Sequence, residues 1–256
     1  MKLNTIITGE PGALPPVILA HGLLGSARNL GGLARRLAGR RVIQVDMRNH
    51  GDSGWSDDHS YAALAGDLAE VIAAEGGIAD VVGHSMGGKA AMALALLHPQ
   101  MVRRLVVLDI APLAYAHSQT PLIDAMAATD LTSITRRSEA DARLAERVED
   151  AGTRAFVLQS LELRPGEPAR WKMNLAALRA EMAELVGWPE GLAEGAFDGP
   201  VLAIAGAESD YISREGEAAL RRYFPQIEVQ RIAGAGHWVH ADAAQAVGDA
   251  VATFIG

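Results

Sequence analysis

Three observations predict a doubly wound α/β fold with a mostly parallel sheet. Short β-type runs alternate with helical stretches along most of the chain. Each run is apolar almost throughout, as strands covered on both faces must be. One long interval, from just after Asp109 to near Pro200, has no such run and carries helical spacing instead.

The elements follow in order. PPVILAHG (Pro15–Gly22) reads as a strand with a glycine exit, and ARNLGGLARRLAG after it as a helix. RVIQVDM (Arg41–Met47) is the second strand and YAALAGDLAEVIAAEG the next helix. ADVVGHS (Ala79–Ser85) is the third strand, followed by AAMALALL (Ala90–Leu97), a helix too apolar for the surface and far too short to span a membrane. RRLVVLDIAP (Arg103–Pro112) is the fourth. Beyond it SEADARLAERVED and NLAALRAEMAELVGW have helical periodicity, separated by the breaker LRPGEPARW. The last strands are GPVLAIAG (Gly199–Gly206) and QIEVQRIAG (Gln226–Gly234), joined by the helix GEAALRRYF. Residues 1–112 and 198–256 are expected to form the α/β core, with 113–197 inserted as a helical cap over one end of the sheet.

Composition narrows the chemistry. The 256 residues are 49% hydrophobic and 21% charged, the profile of a protein with a large core. With no cysteine, thiol catalysis, disulfides and thiolate metal sites are excluded. A net charge of −8 argues against a nucleic-acid surface. The pairs Arg35-Arg36, Arg40-Arg41, Arg103-Arg104 and Arg221-Arg222 are scattered and read as solvated helix ends and strand entrances. The start, MKLNTIIT, lacks the features of a signal peptide, so a cytoplasmic protein is expected, without membrane insertion.

The chemistry-bearing motif is Gly83-His84-Ser85-Met86-Gly87, a G-x-S-x-G between a predicted strand and helix. Small flanking residues allow a strained bend that lifts the Ser85 hydroxyl above the sheet at a helix N-terminus. A serine hydroxyl needs a base, and His237, after the last predicted strand, stands in the right place. His240, three residues on, has no further ligand to suggest a metal, and no metal is expected. His21 and His84 sit in glycine turns and are assigned shaping roles; His50, His59, His98 and His117 have no catalytic context. The imidazole needs an acid. Serine hydrolases of this arrangement often carry it three residues past the glycine that closes the GPVLAIAG strand, but that position here is Ser209. Asp210 lies one place off. Asp109 emerges from an otherwise apolar strand, where a lone carboxylate is costly, and is favoured as the acid over Asp210, with Ser209 as an accessory hydroxyl. The backbone N–H groups of Leu23, in HGLLGS, and Met86 are the expected oxyanion donors.

With these pieces together, the chain resembles the α/β-hydrolases, and among them the YbfF-like bacterial esterases related to mitochondrial abhydrolase-domain proteins. HGLLGSARNL, VDMRNHGDSGWS, VGHSMGGKAAM, VLDIAP, SDYI and AGAGHWVHAD carry the resemblance over nearly the whole chain. It implies an α/β-hydrolase fold and cofactor-free hydrolysis of carboxylic esters and acyl-CoA-type thioesters. By the same resemblance the nucleophile falls on Ser85, the base on His237 and the acid on Asp109, with a serine at the Ser209 position. Asp46–Ser53 is expected to be a structural turn. The partner is then a small-molecule acyl ester, and the chain a monomer or homodimer. Tyr115, Trp171, Tyr211 and Trp238 are candidates to line the pocket. Two other readings stay open: a carbon–carbon hydrolase or lyase that clamps an acidic metabolite with Arg28, Lys89 or Arg214, and a binding protein with little turnover.

Overall fold

The computed structural model describes residues 1–256. Seven strands form one sheet: β1 (Thr5–Thr8), β2 (Val17–Ala20), β3 (Val42–Val45), β4 (Ala79–His84), β5 (Val102–Leu108), β8 (Val201–Gly206) and β9 (Ile227–Ile232). The remaining two, β6 (Leu161–Glu162) and β7 (Arg170–Trp171), make a separate ribbon. The order is β1-β3-β2-β4-β5-β8-β9, with every neighbour parallel except β1, which pairs antiparallel with β3. β1 has no counterpart in the sequence reading. TIIT is a half-exposed edge strand of only four residues, too short for its pattern to register.

Continuous apolar runs are explained by where successive side chains go. On β2, Ile18 and Ala20 join one apolar cluster while Val17 and Leu19 join another. On β5, Leu105 and Val107 divide from Val106 and Leu108 in the same way. The larger cluster lies under α2 (Tyr61–Ala74) and α3 (Met86–Leu97), and the smaller under α1 (Gly31–Arg36) and α11 (Ala244–Ile255). α3 is buried from Met86 to Leu96, which is why its sequence has no polar face.

Between β5 and β8 the chain runs through α4 (Thr120–Ala127), α5 (Arg137–Leu144), α6 (Ala151–Leu158), the β6–β7 ribbon, α7 (Leu175–Ala180) and α8 (Met182–Val186). The two long periodic stretches are shorter helices than their patterns suggested: SEADARLAERVED is helical only to Leu144, and the other breaks at Glu181. Backbone bonds join this segment to the loops that leave β3 and β5. Gly51 N–H donates to Lys172 O (2.7 Å), Asn174 N–H to Asn49 O (2.9 Å) and Tyr115 N–H to Val186 O (2.9 Å).

The arginine pairs are not uniformly solvated. Arg40 Nη2 and Arg103 Nε each lie 2.7 Å from an oxygen of fully buried Asp80, and Arg41 Nε lies 2.7 Å from Glu75. Asp80 sits inside β4, so its charge has to be matched from the strand entrances on either side. Arg35, Arg36, Arg221 and Arg222 are exposed as expected.

The topology also says where to look for a ligand. From β2 the chain moves outward to β3, crosses back to β4, then continues to β5. The order therefore reverses between β2 and β4, and open parallel sheets bind ligands at the carboxyl ends flanking such a reversal. Those two ends carry the HGLLGS loop and Ser85. After β8 come α9 (Arg214–Tyr223) and β9, then the loop to α10 (Val239–Asp242).

Candidate active site

Ser85 occupies φ 52°, ψ −118°, a conformation that non-glycine residues rarely adopt. Its neighbours make the bend possible. A Cβ on Gly83 would run into the Gly87 carbonyl, one on Gly87 into the Ala20 and His21 carbonyls, and one on Gly88 would lie 2.6 Å from Ile110 Cγ2. The glycines let the elbow press against the end of β2, while Ser85 N–H donates to Leu108 O (3.1 Å) to fix it against β5.

His237, on the loop between β9 and α10, has Nε2 3.0 Å from Ser85 Oγ and Nδ1 2.8 Å from Asp109 Oδ2. In the tautomer these contacts require, Nδ1–H donates to Asp109 and Nε2 accepts from the serine hydroxyl. Asp109 is fully buried and also at positive φ (50°). Its carboxylate is satisfied on both oxygens: Gly206 N–H donates to Oδ1 (3.0 Å), and the Ser209 hydroxyl donates to Oδ2 beside the imidazole. Three donors compensate the carboxylate for its burial. Asp210 is exposed and makes no hydrogen bond to His237. The structure thus brings Ser85, Asp109, Ser209 and His237 to one point, and leaves Asp210, the alternative acid, outside it.

The HGLLGS loop is held by imidazoles. His21 Nδ1–H donates to Gly22 O (2.8 Å) and its Nε2 accepts from Met47 N–H (2.9 Å). His50 donates from Nδ1 to Arg48 O (2.8 Å) and accepts Leu24 N–H at Nε2 (3.2 Å), supporting Leu24 at φ 60°. His84 Nε2–H donates to His237 O (2.9 Å), and His240 packs edge-on to His84 with ring centroids 4.4 Å apart. Burial holds His21 below the usual histidine range and His50 and His84 well below it, and pushes His59 and His240 down to about 4. These rings are neutral at pH 7, as the acceptor roles of His21 and His50 need. Asp46–Ser53 is built as the expected turn: Asp46 accepts from Ala27 N–H (2.8 Å) and Asp52 N–H (3.0 Å), tying the exit of β3 to the loop after β2.

Above Ser85 lies a cavity of about 270 Å³ lined by Leu23 and Met86 from the core and by Leu122, Phe156, Met182 and Leu185 from the inserted segment. Tyr115, Tyr211 and Trp238 line it too. Trp171 does not: it is buried in the insertion, its indole N–H donating to Met126 O (2.9 Å). Arg28 and Arg214 are exposed and outside the cavity. Lys89, the third candidate clamp, is buried and lines the cavity. Its ammonium donates to the carbonyls of Val186 (3.1 Å) and Gly187 and lies 4.8 Å from the centre of the Tyr115 ring. Burial pulls its pKa down to about 7. The ammonium caps the C-terminal end of α8 and leaves no free cation to clamp an acidic substrate. His117 also reaches the site, through Tyr211 (2.7 Å between Nε2 and the phenol oxygen). Neither role carries a local sequence signal, because each depends on a contact nearly a hundred residues away.

The chain that builds this elbow, imidazole and buried carboxylate matches, over residues 15–244, a family model described as the alpha/beta hydrolase fold. The chain belongs to that family. It is 39% identical over 252 residues to the mouse sn-1-specific diacylglycerol lipase ABHD11, covering 94% of this chain and 81% of the lipase. It is 38% identical over 243 residues to Escherichia coli esterase YbfF, covering 94% and 92%. Among solved structures, a marine microorganism esterase superposes with a TM-score of 0.93 at 32% identity over 99% of both chains. The chain is an α/β-hydrolase enzyme of this esterase and lipase type.

Proposed function

We propose that this enzyme hydrolyses carboxylic esters, and acyl thioesters by the same route, through an acyl intermediate on Ser85. The observation that carries the proposal is the continuous relay from Ser85 Oγ through His237 to buried Asp109. His237 Nε2 takes the hydroxyl proton as Oγ attacks the acyl carbon. Asp109 holds the imidazole in the required tautomer and balances its charge. The N–H groups of Leu23 and of Met86, the first residue of α3, stabilise the oxyanion, aided by the helix dipole. The tetrahedral species collapses as His237 returns the proton to the leaving oxygen or sulfur. Water then attacks the acyl carbon, giving its proton to His237, and the second collapse frees the acid and restores Ser85–OH.

Residues 113–197 act as a cap on the core of 1–112 and 198–256 and supply much of the acyl pocket. A cavity of about 270 Å³ with a largely apolar lining suits a single acyl chain of short to medium length. The absence of Arg28 and Arg214 from the lining, and the engagement of Lys89 by carbonyls, disfavour an acidic metabolite. Initial rates on p-nitrophenyl esters of increasing acyl length and on acyl-CoAs, with Ser85→Ala as the blank, test the proposal. Activity that rises and then falls with chain length and vanishes in Ser85→Ala is expected. Turnover of no ester or thioester would overturn it.

A further inference from the structure

The Tyr211 ring lies against the ring of His237 with centroids 3.6 Å apart and planes inclined by only 14°. Two neutral aromatic rings prefer to slide apart or meet edge to face. A cation prefers the opposite, to sit over the centre of a ring face. The near-eclipsed overlap therefore suits the moment in the cycle when His237 carries the extra proton. On this geometry, and resting on the triad reading above, we propose that Tyr211 is a positioning residue whose ring face stabilises the His237 imidazolium as it forms.

The ring is pinned for this task. Its hydroxyl is 2.7 Å from His117 Nε2, and the His117 ring meets it edge-on at 4.8 Å. The Tyr115 hydroxyl accepts Ala111 N–H (2.8 Å) and donates to the Tyr211 carbonyl (2.8 Å). Tyr211 N–H donates to Ser209 Oγ (3.3 Å), whose own proton goes to Asp109. Residues 206–211 thus wrap the imidazole–carboxylate pair, with Gly206 and Ser209 on the acid and Tyr211 over the base. The cation is held in its plane by Asp109 and on its face by Tyr211.

The titratable groups around His237 are few. Asp109 comes from the end of β5, His84 from the end of β4, His240 from α10 and His117 from the inserted segment, with Lys89 of α3 against the Tyr115 ring. The three imidazoles are all held below the usual histidine range, chiefly by burial. Of the groups against the His237 ring, the Tyr211 face and the Asp109 carboxylate are the ones that attract positive charge.

The test is the pH profile of kcat/KM and the separate values of kcat and KM on p-nitrophenyl butyrate. Tyr211→Phe keeps the face and loses only the bond to His117, so kcat and the acid limb should stay within about twofold and about 0.2 pH unit of wild type. Tyr211→Leu should lower kcat about fivefold with KM within about twofold, and move the acid limb down by about 0.5 pH unit. Fluorinated phenylalanines at position 211 keep the shape while draining charge from the ring face. They guard against a leucine variant that does not fold, and kcat and the acid limb should fall stepwise with fluorination. A flat fluorination series, or Tyr211→Phe as impaired as Tyr211→Leu, would overturn the stack. Ser85→Ala is assayed alongside: activity surviving in it would condemn the triad itself, whereas a dead Ser85→Ala with a flat Tyr211 series condemns the stack alone.

Discussion

Ser85 and Asp109 stand at the ends of neighbouring strands with nearly the same positive φ (52° and 50°), each turning its side chain out of the sheet toward His237. Asp109→Asn keeps the shape but offers a neutral amide, which holds the wrong imidazole tautomer, and should lower kcat about a thousandfold or more. Asp210→Asn, on an exposed residue without a bond to His237, should leave kcat within about threefold. Steady-state rates on one ester decide between them, and a crippled Asp210→Asn would assign the acid wrongly. Asp109 was legible in sequence because a carboxylate inside an apolar run needs a reason. Ser209 was legible as an anomaly of spacing, and the structure gives it the hydroxyl that satisfies the second face of that carboxylate. The contacts of Lys89 and Tyr211 were not legible, since their partners at 186–187 and 237 are set by tertiary packing.

At the scale of elements, the β4–α3 elbow is governed by steric room. Gly87 faces the carbonyl oxygens of Ala20 and His21, main-chain atoms that cannot yield as a flexible side chain would. Gly87→Ala should destabilise the fold by about 1–3 kcal/mol through overpacking and, by pushing α3 from the end of β2, reduce kcat more than it raises KM. Thermal unfolding alongside kinetics checks both halves; a variant with the stability and rate of wild type would mean that the elbow has slack. The parallel strands were readable because burial on both faces leaves one kind of residue, as in VILA of β2 and VLAIAG of β8. β1 escaped because an edge strand of four half-exposed residues has neither that run nor an alternation long enough to register. The short helices of the insertion were readable as helices, but their ends were not, since no glycine or proline marks the stops at Leu144 and Glu181.

Over the whole molecule, burial of neutral imidazoles ties stability to pH. His59 and His240 titrate near 4 in the fold, and His50 and His84 are also held well below the ordinary 6.5. Between about pH 6.5 and 4 the unfolded chain therefore takes up protons that the folded chain refuses. Stability from these groups is complete above 6.5 and is lost as the pH falls through that window, each contributing up to about 1.4 kcal/mol per pH unit. His240 makes no hydrogen bond through its buried Nδ1, so His240→Leu should remove one such group and leave a shallower acid limb. Chemical denaturation at pH 4.5, 5.5 and 7 measures the slope; a slope unchanged in His240→Leu would show that the ring is not excluded from protonation. No helix is long and apolar enough to cross a membrane.

The central claim is that Ser85 carries the acyl group. Rapid quenching of the enzyme with an activated ester, followed by intact mass and peptide mapping, tests it most directly. The expected result is one added acyl mass on the peptide containing Gly83-His84-Ser85-Met86-Gly87, formed in a burst and lost as the acid appears, and absent in Ser85→Ala. Turnover without a burst or an adduct, or an acyl group on another residue, would contradict it.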